Sequence, residues 1–164
     1  MRDDILVAIT NLLNGYVARY AQLPFAAANV WLFYDVLSGT YIQYALKASR
    51  ELNLDSISAK SIPRVLVSDN GNEQITYKTG GLADIYLTID LELLVSKATH
   101  QSAALNLLDL AVKQAIASNP TLNGLVAHTT IMPQTGGVTT GSDNIAKRTR
   151  QIRVLYEATV TGGL

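Results

Sequence analysis

The sequence lacks cysteine altogether and has only two histidines among its 164 residues. Without cysteine, the chain can form no disulfide, no thiolate zinc site and no cysteine nucleophile. His100 and His128 show no His-x-x-x-His spacing, so a zinc site would need ligands from distant segments. We therefore predict no metal site, and we interpret both histidines as ordinary surface or half-buried residues.

Charge is also scarce. Charged residues make up 16% of the chain, whereas soluble domains average about 25%. The 13 basic and 13 acidic residues balance, which gives no global attraction for nucleic acid or an anionic membrane. Low charge fits a subunit whose surface is covered by neighbours, and it equally fits an ordinary domain solubilised by Ser, Thr, Asn and Gln.

Long hydrophobic runs are missing as well. The most apolar run, residues 25–34, is far too short to span a membrane. The apolar residues near the start are spaced for a helix face, so we expect no signal peptide.

The hydrophobic pattern of residues 82–121 predicts a long strand followed by a long amphipathic helix, which together form the central unit of the fold. Apolar residues occupy every second position from Ile85 to Val95, so one strand face is hydrophobic and the other is mostly polar. The polar face is expected to meet water or a partner. The helix carries an apolar stripe from Leu105 to Ile116, and Asn119-Pro120 ends it.

The remaining segments predict further elements by periodicity and turn signals. The expected helices cover residues 3–20 and about 41–53, although residues 40–44 also have strand propensity. The expected strands cover 29–34, 63–68, 73–78 and 147–160, with a short strand within 122–130. Asp69-Asn70-Gly71-Asn72 predicts a hairpin turn, and Gly80-Gly81 a break before the long strand. The last strand is expected to pair antiparallel with the long strand.

This order of elements predicts a single α+β domain, an antiparallel or mixed sheet with helices packed on one face. Residues 36–60 are the least certain part. Residues 133–146 predict a long flexible loop, of the kind that is usually functional or disordered.

No group of residues supports catalysis, so we expect this protein not to be an enzyme. Lys78-Thr79-Gly80 and Ser142-Asp143-Asn144 also occur in serine β-lactamases, but here they come in reverse order and without Ser-x-x-Lys. The glycine-rich stretch 136–141 lacks the Gly-Lys-Ser/Thr ending of a phosphate loop.

Two groups of residues are candidates for contacts with other proteins. The candidate subunit-interface residues are the polar side chains of the two long strands: Asp90, Glu92, Arg148, Arg150 and Arg153. The alternation places Arg148 and Arg150 on the side of Ile152, with Arg153 on the other side. The candidate partner-contacting loop comprises Gln134, Thr135, Gly136, Gly137, Val138, Thr139, Thr140 and Gly141.

About half of the chain resembles the tail-terminator, or tail-completion, proteins of long-tailed bacteriophages. The resemblance is carried by the alternating strand 85–95, the Leu- and Ala-rich helix 103–112, the stretch 119–126 and the closing strand that ends at 156–160. The N-terminal amphipathic helix and Pro63-Arg64-Val65-Leu66-Val67 also resemble that family. Residues 20–60 match it poorly, and 36–60 is expected to be an insertion.

The resemblance implies a structural virion protein that forms a hexameric ring. The ring would cap the head-proximal end of the tail tube, stop its polymerisation and meet a neck or head-completion protein. DNA would pass through the lumen without sequence-specific binding, and no cofactor or membrane would be involved. The protein would be assembled in the bacterial cytoplasm and would end in the phage tail or neck. The alternatives are another neck ring, such as a head-completion or tail-adaptor protein, and a small monomeric ligand-binding domain with the aromatic stretch 31–34 in its pocket.

Overall fold

The computed structural model describes residues 1–21, 35–37, 41–50, 62–96, 101–133, 138–140 and 145–159. Its helices are α1 (Arg2–Leu13) and α2 (Gln101–Ser118). Its strands are β1 (Val17–Ala21), β2 (Asp35–Leu37), β3 (Tyr41–Ala45), β4 (Ala48–Arg50), β5 (Arg64–Tyr77), β6 (Leu82–Ser96), β7 (His128–Ile131), β8 (Thr139–Thr140) and β9 (Ile145–Thr159).

The main sheet has the strand order β4-β5-β6-β9-β7, and β8 also pairs with β9. Strands β5, β6 and β9 are antiparallel, whereas β4 runs parallel to β5, so the sheet is mixed. A smaller antiparallel sheet has the order β1-β3-β2. The predicted pairing of the last strand with the long strand is confirmed, and it extends from Leu82↔Thr159 to Ser96↔Ile145.

The alternation along β6 divides the main sheet into two faces. The side chains at odd positions from Ile85 to Val95 are at most 4% exposed. They join Ile5 and Ile9 of α1 and Leu105 and Leu108 of α2 in one hydrophobic core. Both helices therefore pack on the same face, and the predicted α+β fold with helices on one face is confirmed.

Helix α2 also follows its prediction. Its apolar stripe is buried, and it ends at Ser118, just before Asn119-Pro120. Leu122, Asn123 and Gly124 then adopt positive φ angles of 50°, 58° and 85° and turn the chain towards β7. The expected turn and short strand within residues 122–130 are thus confirmed.

The first predicted helix is too long. It ends at Leu13, because Gly15 adopts a φ of +88° and closes the helix with a left-handed residue. The Gly15 N–H donates to the carbonyl of Leu46, and residues 17–21 pair with β3 instead of continuing the helix.

The predicted helix over 41–53 is wrong where the structure describes it. Residues 41–45 pair with β1, residues 41–43 also pair with β2, and residues 48–50 pair with β5. Pairing with strands distant in sequence overrides the local helix propensity here. Residues 51–53, like the predicted strand 29–34, lie outside the described residues.

The predicted hairpin turn at 69–72 is also wrong. Strand β5 runs through these residues to Tyr77, and its register against β6 shifts between Asp69 and Glu73. Gly71, with a φ of +84°, donates its N–H to the Asp69 carboxylate at 2.8 Å. The Asn-Gly signal marks a bulge, and the hairpin closes at the predicted Gly80-Gly81 break, where the Lys78 N–H donates to Leu82 O at 2.8 Å.

Substitutions at two adjacent β6 residues test this division of the sheet into faces. Ile89→Ala should reduce the free energy of unfolding by about 2–5 kcal/mol, because it leaves a cavity at a side chain that is 0% exposed. Thr88→Ala, on the opposite face, is the matched control and should cost less than about 1 kcal/mol. Urea unfolding measures both, and equal losses would contradict the assigned faces.

Candidate assembly surface

The register of the long strands separates the five candidate interface residues onto two faces. Arg148 and Arg150 lie opposite the buried Leu93 and Leu91, so they share the face on which the helices pack. Asp90, Glu92 and Arg153 lie on the other face. We call this second face the open face and define it by Asp84, Tyr86, Thr88, Asp90, Glu92 and Leu94 of β6 with Lys147, Thr149, Gln151, Arg153, Leu155 and Glu157 of β9. Leu94, at one end of this face, is 1% exposed.

Arg150 is buried inside the subunit. Its side chain binds the Asp109 carboxylate of α2 through two hydrogen bonds, from Nε at 2.8 Å and from Nη2 at 2.7 Å. Its Nη1 donates to the carbonyl of Met132 at 2.7 Å, at the point where the predicted loop begins. Arg150 thus joins β9 to α2 and to the end of β7, and the assembly surface proposed below does not include it.

Asp109 is the residue that sequence reasoning missed at this contact. Burial raises the pKa of its carboxyl, but the hydrogen bonds from Arg150 and Lys113 outweigh burial and hold this pKa below its ordinary value. The signal was present, since Asp109 lies four residues after the buried Leu105, on the apolar stripe of the helix. An acidic residue in that position needs a cationic partner.

Arg148 lies beside Arg150 on the helix-facing side and is half-buried. Its Nη1 donates to the Asn106 side chain of α2 at 2.6 Å, while its Nε has no hydrogen-bond partner among the residues that the structure describes. Both arginines of this face therefore contact α2.

On the open face, amide groups surround Asp90. Asn70 Nδ2 lies 3.0 Å from each carboxylate oxygen, and Gln151 Nε2 donates to Oδ1 at 3.1 Å. Asn70 belongs to the β5 bulge, so the bulge directs this amide to β6. No cation lies within ion-pair distance of Asp90 among the described residues.

Arg153 forms the second polar cluster of the open face. Its guanidinium carbon lies 4.2 Å from the centroid of the Tyr86 ring, a cation–π contact, and its Nη2 donates to Gln74 Oε1. Tyr86 and Gln74 lie on neighbouring strands at paired positions. The predicted opposite orientations of Arg150 and Arg153 are thus confirmed.

Ion pairs occupy both ends of the open face. Lys147 Nζ lies 3.7 Å from Glu92, and Lys78 Nζ lies 2.7 Å from Asp84 and 3.2 Å from Glu157. Hydrogen bonds to Asp84 and Glu157 raise the pKa of Lys78. The Lys78-Thr79-Gly80 triplet is thus part of the β5–β6 hairpin.

The predicted flexible loop over 133–146 is too long at its far end and contains a strand. Thr139–Thr140 forms β8 and pairs with Lys147 and Ala146, and Val138 packs against the core. Ile145 and Ala146 already belong to β9 because they pair with β6. Residues 134–137 and 141–144 lie outside the described part of the chain, as does His100.

A groove of about 320 Å³ lies between α1 and the turn after α2. It is lined by Ala8, Asn11, Leu12, Asn119, Leu122 and Asn123. This lining contains no titratable side chain that could act as a general acid or base.

In the described segments, no three His, Asp or Glu side chains come together in a group that could hold a metal ion. Neither described helix is long and apolar enough to cross a membrane.

The buried Asp109–Arg150 pair yields a stability prediction. Asp109→Ala should lower the free energy of unfolding by about 3–5 kcal/mol, because it leaves the Arg150 guanidinium buried without its carboxylate. Lys113→Ala is the matched control, since Lys113 also binds Asp109 but is 45% exposed, and it should cost about 0.5 kcal/mol or less. Chemical denaturation of both variants measures the difference. A loss below about 1 kcal/mol for Asp109→Ala would show that the pair is not needed.

Comparison with known proteins adds no family to this description. A scan against models of protein families finds no match, and a search of curated proteins finds none either. The resemblance to tail terminators therefore stays a prediction from the sequence.

Proposed function

We propose that this protein is a ring-forming tail terminator of a long-tailed phage, which caps the head-proximal end of the tail tube and joins it to the neck. The observation that supports this best is the open face. It is a mostly polar surface of two long paired strands, and both described helices pack on the opposite side of the sheet.

The hydrophobic core that both helices share contains no side chain of the open face, and Leu94, the buried residue of that face, lies outside this cluster. Core side chains of β6, β9 and both helices are nearly all less than 5% exposed, and they lie on the helix-facing side. The open face instead carries acids, bases, amides and the ring of Tyr86, of which Asp90, Arg153 and Tyr86 are half-buried. A surface with Tyr and Arg at its centre is suited to contact with another protein.

A closed ring requires a head-to-tail interface between two different surfaces of the same subunit. The two-layer architecture offers two such surfaces, the outside of the helix layer and the open face. Zero net charge fits a ring through which DNA passes without sequence-specific binding. The candidate partner-contacting loop, residues 134–141, follows Met132, whose carbonyl accepts a hydrogen bond from Arg150, and it is our candidate for contact with the tube or the neck.

Light scattering on the purified protein, with negative-stain images of the same peak, tests the ring. We expect particles with six-fold symmetry and six times the 17.7 kDa subunit mass, formed either alone or on purified tail tubes. Template-dependent assembly is included because weak interfaces become favourable when several act together.

Tail tubes separate the terminator from the other neck rings. A terminator should cap one end of each tube and stop further addition of tube protein. A head-completion or adaptor protein should instead form rings that do not bind free tubes. A protein that stays monomeric with tubes present would contradict the proposed function and would favour the monomeric ligand-binding alternative.

A further inference from the structure

Arg153 is arranged as a receptor for a carboxylate. Its guanidinium is held over Tyr86 at 4.2 Å, and a single hydrogen bond to Gln74 fixes one Nη. No carboxylate lies within ion-pair distance of Arg153 in the described segments. A stacked guanidinium keeps its edge N–H groups directed outward in a planar fork, which matches the two oxygens of a carboxylate.

The neighbouring cations of the open face differ from Arg153. Lys78 already has two carboxylate partners, and Lys147 has Glu92. The nearby Asp90 accepts three contacts from amides and forms no ion pair with Arg153. The face therefore presents a preorganised arginine that forms no ion pair with any carboxylate of the described residues.

Two highly exposed carboxylates lie on the other layer of the subunit. The side chains of Asp3 and Asp4, in the first turn of α1, are 86% and 73% exposed. Their contacts within the chain are surface pairs at 3.4 Å, which contribute little. One turn further, Val7 is 46% exposed on the same side of α1 and offers apolar contact area beside the acids.

We propose that Arg153 binds the Asp3–Asp4 pair of a second copy of this chain, so that the helix layer of one subunit packs on the open face of the next. The contact joins two different surfaces, which is the head-to-tail type that a ring needs. This inference rests on the proposed function and names the residues through which its subunits would meet.

A charge swap tests the contact. Arg153→Glu should raise the protein concentration needed for assembly by at least roughly tenfold, because like charges then face each other across the interface. The double variant Asp3→Lys, Asp4→Lys should do the same, and combining all three substitutions should restore assembly. Lys47→Glu is the matched control, since it reverses an exposed charge that forms no ion pair with Asp3 or Asp4, and it should leave assembly unchanged.

Cross-linking supplies a readout that does not depend on the charge variants folding well. Because the chain has no cysteine, Val7→Cys and Thr130→Cys each introduce a single thiol, one on the helix layer and one opposite Arg153 on β7. A short thiol-reactive cross-linker should join the two variants when they are mixed under assembly conditions, and neither variant alone. Cross-linking of Thr130→Cys to itself would mean face-to-face packing and would overturn the inference.

The outcomes separate this contact from the function itself. If the wild type forms rings or caps tubes but Arg153→Glu assembles equally well, or the triple variant is not rescued, the contact is wrong and the proposed function stands. If the wild type forms no ring with or without tubes, the proposed function fails and the contact between copies fails with it.

Discussion

The antiparallel pairing of β6 with β9 is the constraint on which the rest of the structure depends. The two strands pair without a break from Leu82↔Thr159 to Ser96↔Ile145. Because side chains alternate along a strand, this single register decides which residues of both strands meet the helices and which remain on the open face. A slip by one residue would place Arg153 in the core and Ile152 in solvent.

The helix-facing side contains a second constraint, the buried pair of Asp109 and Arg150. Burying two charges costs free energy that their attraction only partly repays, so such a pair is weak evidence for stability. Its geometry nevertheless specifies position. Arg150 contacts α2 through Asp109 and the end of β7 through Met132, so three elements must take one arrangement for all its hydrogen bonds to form. We interpret the pair as a device that sets how α2 lies on the sheet.

The sequence predicted the elements whose signals are local and long. The period-two run of β6, the apolar stripe of α2 and the alternation of β9 each span enough residues for the pattern to be clear. Residues 41–50 were assigned wrongly because their strands are defined by pairing with β1, β2 and β5, which a local pattern cannot show. Asn70-Gly71 correctly indicates a residue with positive φ, but a bulge and a turn both need such a residue. Only the pairing of β5 along the whole of β6 shows that the residue belongs to a bulge. The open-face clusters depend likewise on residues far apart in sequence, such as Gln74 with Arg153.

The central claim is that the open face becomes a contact surface in an assembled ring, and hydroxyl-radical footprinting of Tyr86 tests it most directly. Tyr86 lies under Arg153 and is half-buried in the subunit, whereas Tyr77 at the hairpin is 66% exposed and serves as an internal reference. We predict that assembly, alone or on tail tubes, protects Tyr86 from oxidation more strongly than Tyr77. Unchanged oxidation of Tyr86 in particles whose mass shows that they have assembled would contradict it.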